Sequence, residues 1–404
     1  MSKLVQLHPV PFTTFVVKVA SRCNLNCSYC YMYNLADRTY RDQPKLMSPA
    51  TTSLLADRIA AHAASHRLAH VHVILHGGEP LLLGKRRLAE WVTQVRRIIG
   101  AVATPHFSMQ SNGVLIDDEW IDVLARLRVG IGISVDGPRA YHDAYRVDHH
   151  GRGSFDAVVE AIRRLNAHPR GPEVFSTVMA VVNTDIPPRE LFDFWQALDV
   201  SGFDLSLPHA NHKHRPPAGR MSYGEWLIEF FDLWFRQNRE DRRVRYFDNM
   251  LRMFFGYPLS TDNIGGKPVG VVVVETDGSI EPTDAFKCCA EGITKLGLNI
   301  AAHDFDDLYG LPLVTTLQHG TPALCETCRQ CAFADVCGGG YMPHRYATAT
   351  GFDNPSVYCD DLKQLLHHMQ RKVIASLPTP VAARIAAAGG LPLRHGNQSF
   401  MTVT

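Results

Sequence analysis

The sequence predicts an α/β chain: a parallel sheet layered with helices, curved like part of a barrel, and followed by a cysteine-rich C-terminal region. Two observations carry that class. From Phe12 to about Val182, short β-branched runs alternate with amphipathic stretches, the rhythm of βα units around a parallel sheet. Beyond Val271 the pattern changes to turns, glycines and closely spaced cysteines.

In chain order, strands are expected at Phe15–Val19, Val71–Leu75, His106–Gln110, Gly130–Ser134 and Glu173–Val181. Helices fall between them at Ser48–Ser65, Lys85–Ile99, Asp118–Leu127 and Phe155–His168, several opened by a Ser or Asp able to cap the first turn. Each of the first four strands runs into polar or glycine-rich chain: Cys23, then His76-Gly77-Gly78-Glu79-Pro80, then Gln110-Ser111-Asn112-Gly113, then Ser134-Val135-Asp136-Gly137. Ligands of parallel α/β sheets gather at those carboxyl ends. Asp185–Leu205 adds one more helix and strand. His209–Arg220, rich in His, Pro and Arg, reads as a solvated loop, and the aromatic, amphipathic Ser222–Phe255 as a helical connector. Val271–Asp284 reads as a hairpin with a tight primed turn at Asp277-Gly278. A last helix is expected over Asp361–Ser376. The expected division is therefore 1–220 barrel, 221–270 connector, 271–370 cysteine-rich domain and 371–404 tail.

A chain of 404 residues, 46% hydrophobic and 20% charged, can bury a sizeable core. Its 41 basic residues balance 40 acidic ones, so no global field points to nucleic acid. No run approaches the ~18 apolar residues of a membrane span, and MSKLVQLHPVPF lacks the apolar core of a signal peptide. No membrane partner and a cytoplasmic location are expected. Ten cysteines in a long chain, concentrated in tight groups, favour metal binding over disulfides.

Cys23, Cys27 and Cys30 place three thiolates in one loop, spaced by three and two residues. Iron–sulfur clusters are normally held by four Cys, so a three-ligand loop leaves one iron open. A structural zinc site in the same place calls for a fourth ligand. Together with Tyr29, the Gly77-Gly78-Glu79-Pro80 turn and the Ser134-Val135-Asp136-Gly137 strand end, this loop resembles the radical S-adenosylmethionine (SAM) superfamily. The resemblance implies a partial (β/α)6 radical SAM barrel and a [4Fe-4S] cluster on Cys23, Cys27 and Cys30. It implies that S-adenosyl-L-methionine chelates the open iron and is reductively cleaved to a 5′-deoxyadenosyl radical. It also implies a cofactor-binding set: Tyr29 along the adenine, Gly77, Gly78 and Glu79 at the methionine moiety, Asn112 lining the same pocket, Ser134 on the ribose or carboxylate, and Arg146 pairing the carboxylate through its planar fork.

Cys328-x2-Cys331-x5-Cys337-Gly-Gly-Gly, with Cys359 downstream, is similar to the SPASM extension of peptide-modifying radical enzymes. That likeness implies one auxiliary [4Fe-4S] cluster on these four thiolates, with a zinc knuckle as the other reading. Tyr341 and Pro282-Thr283-Asp284 stand where a full SPASM domain carries further ligands, so a second auxiliary cluster is expected to be missing. Cys288, Cys289 and Cys325 are left over, as packed thiols or substitute ligands. Asp284 is the candidate catalytic proton acceptor.

Phe12–Tyr33, His76–Leu82, Gly338–Tyr346 and Gly351–Cys359 further resemble the FxsB-type peptide maturases. This implies a ribosomal precursor peptide as substrate, hydrogen abstraction from a side-chain Cβ, and an aromatic-to-Cβ crosslink, a cyclophane or ether. The cluster's electron would come from a flavodoxin or ferredoxin type donor. The same scaffold supports thioether formation, epimerisation, decarboxylation and formylglycine formation. A non-catalytic iron–sulfur or zinc binding module is the reading from another class.

Overall fold

The computed structural model describes residues 9–257, 259, 261–387 and 390–392. The start of the segment read for a targeting signal, residues 1–8, and the end of the tail, 393–404, lie outside them.

The chain runs β1 (Thr14–Ala20), α1 (Pro49–Ser65), β2 (His70–Gly77), α2 (Lys85–Ile99), β3 (Thr104–Ser111), α3 (Asp118–Leu127), β4 (Val129–Ser134), α4 (Arg139–Tyr145), α5 (Phe155–Ala167), β5 (Phe175–Val181), α6 (Pro188–Leu198) and β6 (Gly202–Ser206). There follow α7 (Tyr223–Gln237), β7 (Arg243–Val244), α8 (Arg245–Phe254), β8 (Val271–Val274), β9 (Ser279–Glu281) and β10 (Leu298–Asn299). The cysteine-rich part holds α9 (Pro312–His319), α10 (Glu326–Arg329), α11 (Ala334–Cys337), α12 (Cys359–Ser376) and α13 (Thr379–Ala387).

All ten strands join one sheet in the order β10-β9-β8-β1-β2-β3-β4-β5-β6-β7. From β8 across to β7 every pair is parallel. A parallel strand covered on both faces reads as a near-continuous apolar run, and β1 does so: Phe15, Val17, Val19 and Ala20 are fully buried. The α/β radical-SAM-type barrel expected from the sequence is present. No helix among the described residues is long and apolar enough to cross a membrane.

Several boundaries differ from expectation, each for a local reason. The strand expected from Glu173 starts at Phe175, because Gly171–Glu173, with Pro172, forms a 3-10 turn. The α5 helix ends at Ala167. The expected connector Ser222–Phe255 is two helices, broken at the left-handed Asn238. It is also part of the core: Trp226, Phe230, Phe231 and Phe247 are fully buried, and Trp226 and Phe203 both stack on Phe230. The last helix starts at Cys359 rather than Asp361. The expected boundary at 271 is where the chain returns to the sheet, since β8 pairs with β1 in the register Phe15 to Val272.

The β8–β9 hairpin forms, but not through a primed turn. That turn needs positive φ at both central residues; here Gly278 alone has it (φ 87°), and its N–H closes on Glu275 O at 2.9 Å. Asp277 instead accepts from Ser279 N at 2.8 Å. Beneath the hairpin, the buried Lys287 ammonium sits 2.7 Å from Glu275 and 3.0 Å from Glu281, both buried. Removing one partner of such a group strands a charge in low dielectric. Lys287→Met is accordingly expected to lower stability by ~3 kcal/mol or more at neutral pH, read from urea unfolding; a loss below ~1 kcal/mol would show that the carboxylates are not held by this lysine.

Candidate functional site

The loop after β1 is clamped by the segment that follows α4. Asn26 N donates to Val147 O at 2.7 Å, and Ser28 N to Tyr145 O at 3.1 Å. Within the loop, Cys30 N reaches Cys27 O at 3.0 Å, curling the chain so that Cys23, Cys27 and Cys30 are all half-buried. Burial pushes the Cys23 thiol up to about 12, with Glu79 adding to it, and the Cys30 thiol up to about 11. Unliganded, these thiols hold their protons; a bound metal centre would displace them.

The β2, β3 and β4 ends close around that loop. Gly77 and Gly78 are closely packed by the chain itself. A Cβ on Gly77 would lie 1.9 Å from Ala20 O, and one on Gly78 would lie 2.3 Å from Arg22 O. Gly78 N and Glu79 N in turn donate to those two carbonyls at 3.0 and 3.1 Å. Glu79 is fully buried and ties two strand ends, accepting from Leu81 N (3.1 Å), Ser111 Oγ (2.9 Å) and Asn112 N (2.8 Å). Asn112 passes the contact on, its Nδ2 lying 3.6 Å from Cys23 Sγ and 2.8 Å from Asn24 Oδ1.

At the β4 end, Arg146 donates through Nε to Asp136 at 2.8 Å, with its guanidinium 5.6 Å from the centre of the Tyr29 ring. Burial works against the Arg146 charge, but Asp136 holds it firmly protonated. The same carboxylate takes the Tyr29 hydroxyl and Val181 N. This leaves the two terminal nitrogens of the Arg146 guanidinium without a contact to Asp136 of the kind that Nε makes. Ser134 Oγ accepts from Gln110 Nε2 at 2.8 Å. Tyr29, Asn112, Ser134 and Arg146 thus meet at one end of the sheet. Asp136 was missed as a site residue, although a carboxylate two residues past a strand end is a readable signal.

Beside them lies a second polar knot. Lys18, on a buried position of β1, pairs with Asp284 at the start of the Asp284–Cys288 3-10 turn and with His76 Nδ1 at 2.8 Å. Tyr31 donates to the same Asp284 oxygen at 2.9 Å. Burial opposes ionisation of Asp284, but Lys18 and His76 hold its carboxyl well below the usual range. Burial and Lys18 bring His76 down to about 4, so its imidazole is neutral. Lys18 was not selected from the sequence; a lysine inside an otherwise apolar strand was the available clue. The loop opened by His209 is not simply solvated either: Ala210 and Asn211 are buried, and His209 packs against Tyr31 with ring centres 4.6 Å apart.

The second cysteine set lies in the C-terminal part of the chain. Cys328, Cys331, Cys337 and Cys359 line one cavity with Gly339, Ser356 and Lys363. Burial, then Cys359, pushes the Cys337 thiol up to about 11. The buried Arg345 Nε has no hydrogen-bond partner there, and the nearest groups acting on its charge are Cys328, Cys337 and Cys325. A buried guanidinium with an unpartnered Nε close to Cys328 and Cys337 fits an anionic thiolate centre. Among the described residues, neither cysteine set brings three ligand atoms mutually within 4.8 Å. Cys288 and Cys289 are buried with sulfurs 3.8 Å apart, and Cys325 packs on Cys328 and Leu324.

Residues 17–194 match the Radical SAM superfamily. The chain is 24% identical to the cysteine-type anaerobic sulfatase-maturating enzyme of Clostridium novyi, covering 85% of this chain and 91% of that one. It is also 24% identical to the serine-type anaerobic sulfatase-maturating enzyme of Bacteroides thetaiotaomicron, over 89% of each. Its fold matches native anSMEcpe with bound AdoMet at a TM-score of 0.76 and 22% identity, over 92% of this chain and 100% of that one. The chain is an enzyme, and the cofactors of its radical SAM region are S-adenosylmethionine and a [4Fe-4S] cluster.

Burial pushes the Glu79 carboxyl up to about 7, against the hydrogen bonds that lower it. Unfolded, it releases its proton near ~4.3. Its contribution to stability is therefore full below that value and is lost as pH rises to about 7. Wild type should lose up to ~3 kcal/mol more than Glu79→Gln across that window, read from urea midpoints at each pH; parallel profiles would mean the carboxyl ionises freely in the fold.

Proposed function

We propose that this enzyme is a maturase of a ribosomally made precursor peptide that joins an aromatic side chain to the Cβ of a nearby residue. The observation that carries the reading is the meeting, at one end of the parallel strands, of a half-buried three-thiol loop and a carboxylate held ionised at Asp284. Cys23, Cys27 and Cys30 would hold the first cluster, and Cys328, Cys331, Cys337 and Cys359 an auxiliary one. When bound, these groups and S-adenosylmethionine supply a hydrogen-abstracting radical and an electron acceptor.

The remaining work falls to the chain's own side chains. Asn112 steadies Cys23, and Glu79 fixes the β2 and β3 ends against which Asn112 leans. Asp136 aims Arg146 and Tyr29 toward the pocket, where Arg146's terminal nitrogens and Ser134 would meet the polar groups of S-adenosylmethionine. Asp284, ionised and in contact with Lys18, Tyr31 and through Lys18 with His76, is placed to accept the proton that an aromatic ring loses once the new bond has formed. Its low proton affinity makes it a weak base that hands the proton on readily, with neutral His76 the next acceptor. The balanced charge of the surface suits a peptide substrate better than a polyanion.

A second reading, oxidation of one side chain without a crosslink, is favoured by the likeness to sulfatase-maturating enzymes. Tandem mass spectrometry of the treated peptide separates the two: both remove two hydrogens from a hydroxyl-bearing substrate, but only the crosslink suppresses fragmentation between the joined residues. For the cofactors, replacing Cys23, Cys27 and Cys30 by Ala should lower iron from about eight to about four per chain and abolish 5′-deoxyadenosine formation. Zinc in place of iron, with no cleavage in wild type, would overturn the proposal. Asp284→Asn should keep 5′-deoxyadenosine release while cutting peptide product by about 10²-fold; unchanged product yield would remove Asp284 from the proton transfer.

A further inference from the structure

At the opposite end of β1 from the cysteine loop, His62 in the last turn of α1 and His66, the residue that follows the helix, face an aspartate of the cysteine-rich half. His62 and His66 have ring centres 4.4 Å apart. His66 Nε2 lies 2.9 and 3.0 Å from the two oxygens of Asp306, in the Phe305–Leu308 3-10 turn. His62 Nδ1 lies 3.0 Å from Asp306 Oδ1. These are the one set of three metal-ligating atoms mutually within 4.8 Å among the described residues.

The contact that singles this set out lies outside it. His62 Nε2 is 3.1 Å from the carbonyl oxygen of Phe12, which can only accept, so Nε2 carries the hydrogen. The ring is buried within an aromatic cup, with the Phe12, Phe15 and Phe305 rings about it. Its Nδ1 faces Asp306 Oδ1, and His66 Nε2 approaches the same carboxylate from a third side, so three ligating atoms converge on one point that a metal ion can occupy. An imidazole whose other nitrogen donates to a backbone carbonyl is the usual outer support of a ligating histidine.

We propose that His62, His66 and Asp306 bind a divalent zinc ion that staples α1 and the start of β1 to the 3-10 turn after β10. Two imidazoles and a carboxylate are a borderline donor set that suits zinc, with water completing the sphere on the exposed side of Asp306. The site sits at the amino ends of the strands, the face where barrel residues act in stability rather than chemistry. Its role is to hold the two halves of the chain together.

The test uses the iron-loaded enzyme, in which the cysteines are occupied, exposed to zinc sulfate, desalted and assayed for zinc and iron. About one zinc per chain is expected in wild type and close to none in His66→Ala or Asp306→Asn, with iron equal in all three. A His70→Ala/His106→Ala variant, which removes another close histidine pair with ring nitrogens 3.1 Å apart, should keep its zinc. Zinc should raise the thermal midpoint of wild type by about 2 °C or more and leave that of Asp306→Asn unchanged. Equal zinc in wild type and Asp306→Asn, no zinc in wild type, or zinc lost only with His70 and His106 would each overturn the assignment.

Discussion

The charge on Lys18 is the constraint around which the two halves of this molecule close. It sits fully buried on β1, where an unpaired ammonium would cost several kcal/mol, and its partner Asp284 lies 266 residues further along the chain. Satisfying Lys18 therefore requires the β8–β9 hairpin to dock beside β1, which carries the 3-10 turn holding Asp284 into the strand-end pocket. Tyr31, the residue after Cys30, and His76, on the neighbouring strand, complete the knot. A buried ion pair is a poor source of net stability but a demanding specifier of arrangement, and here it brings a carboxylate from the cysteine-rich half beside the thiol loop of the barrel half.

Much of this was readable beforehand because the relevant signals are local. The three-thiol loop, the glycine turn and the strand-end Ser134 fall in the sequence where the fold uses them, and the βα rhythm placed them on one face. What escaped was long-range partnership. Nothing near Arg146 in sequence announces that Asp136 will take its Nε, and nothing near Gly77 says that Ala20, rather than a ligand, fills the space a Cβ would need. The primed turn failed for a different reason: Asp277 found a local use for its side chain, accepting from Ser279, and the backbone kept positive φ for Gly278 alone. His209 looked solvated by composition, yet Tyr31 and the cysteine-rich half cover the beginning of its loop.

Electrostatically, the two cysteine sets are built in contrasting company. The first has two carboxyl groups, Glu79 and Asp136, nearby against the one guanidinium of Arg146. The second has Arg345 buried against it without a hydrogen-bonded partner at Nε. A fixed cation beside a thiolate centre favours the more negative of its charge states. The same fold thereby offers two sites of like ligands in unlike fields, a distinction that the spacing of cysteines alone does not convey.

The parallel pairing of β8 with β1 also sets an order on how the molecule can be made. Thr14 meets Val271, so β1 has one open edge until two thirds of the chain exists. During synthesis the barrel half can assemble from β1 outward to β6 by short βα steps, while the far side of β1 waits as an unpaired, apolar strand edge, the kind of surface that invites wrong pairings. Lys18 stands on that strand without its carboxylate for the same interval.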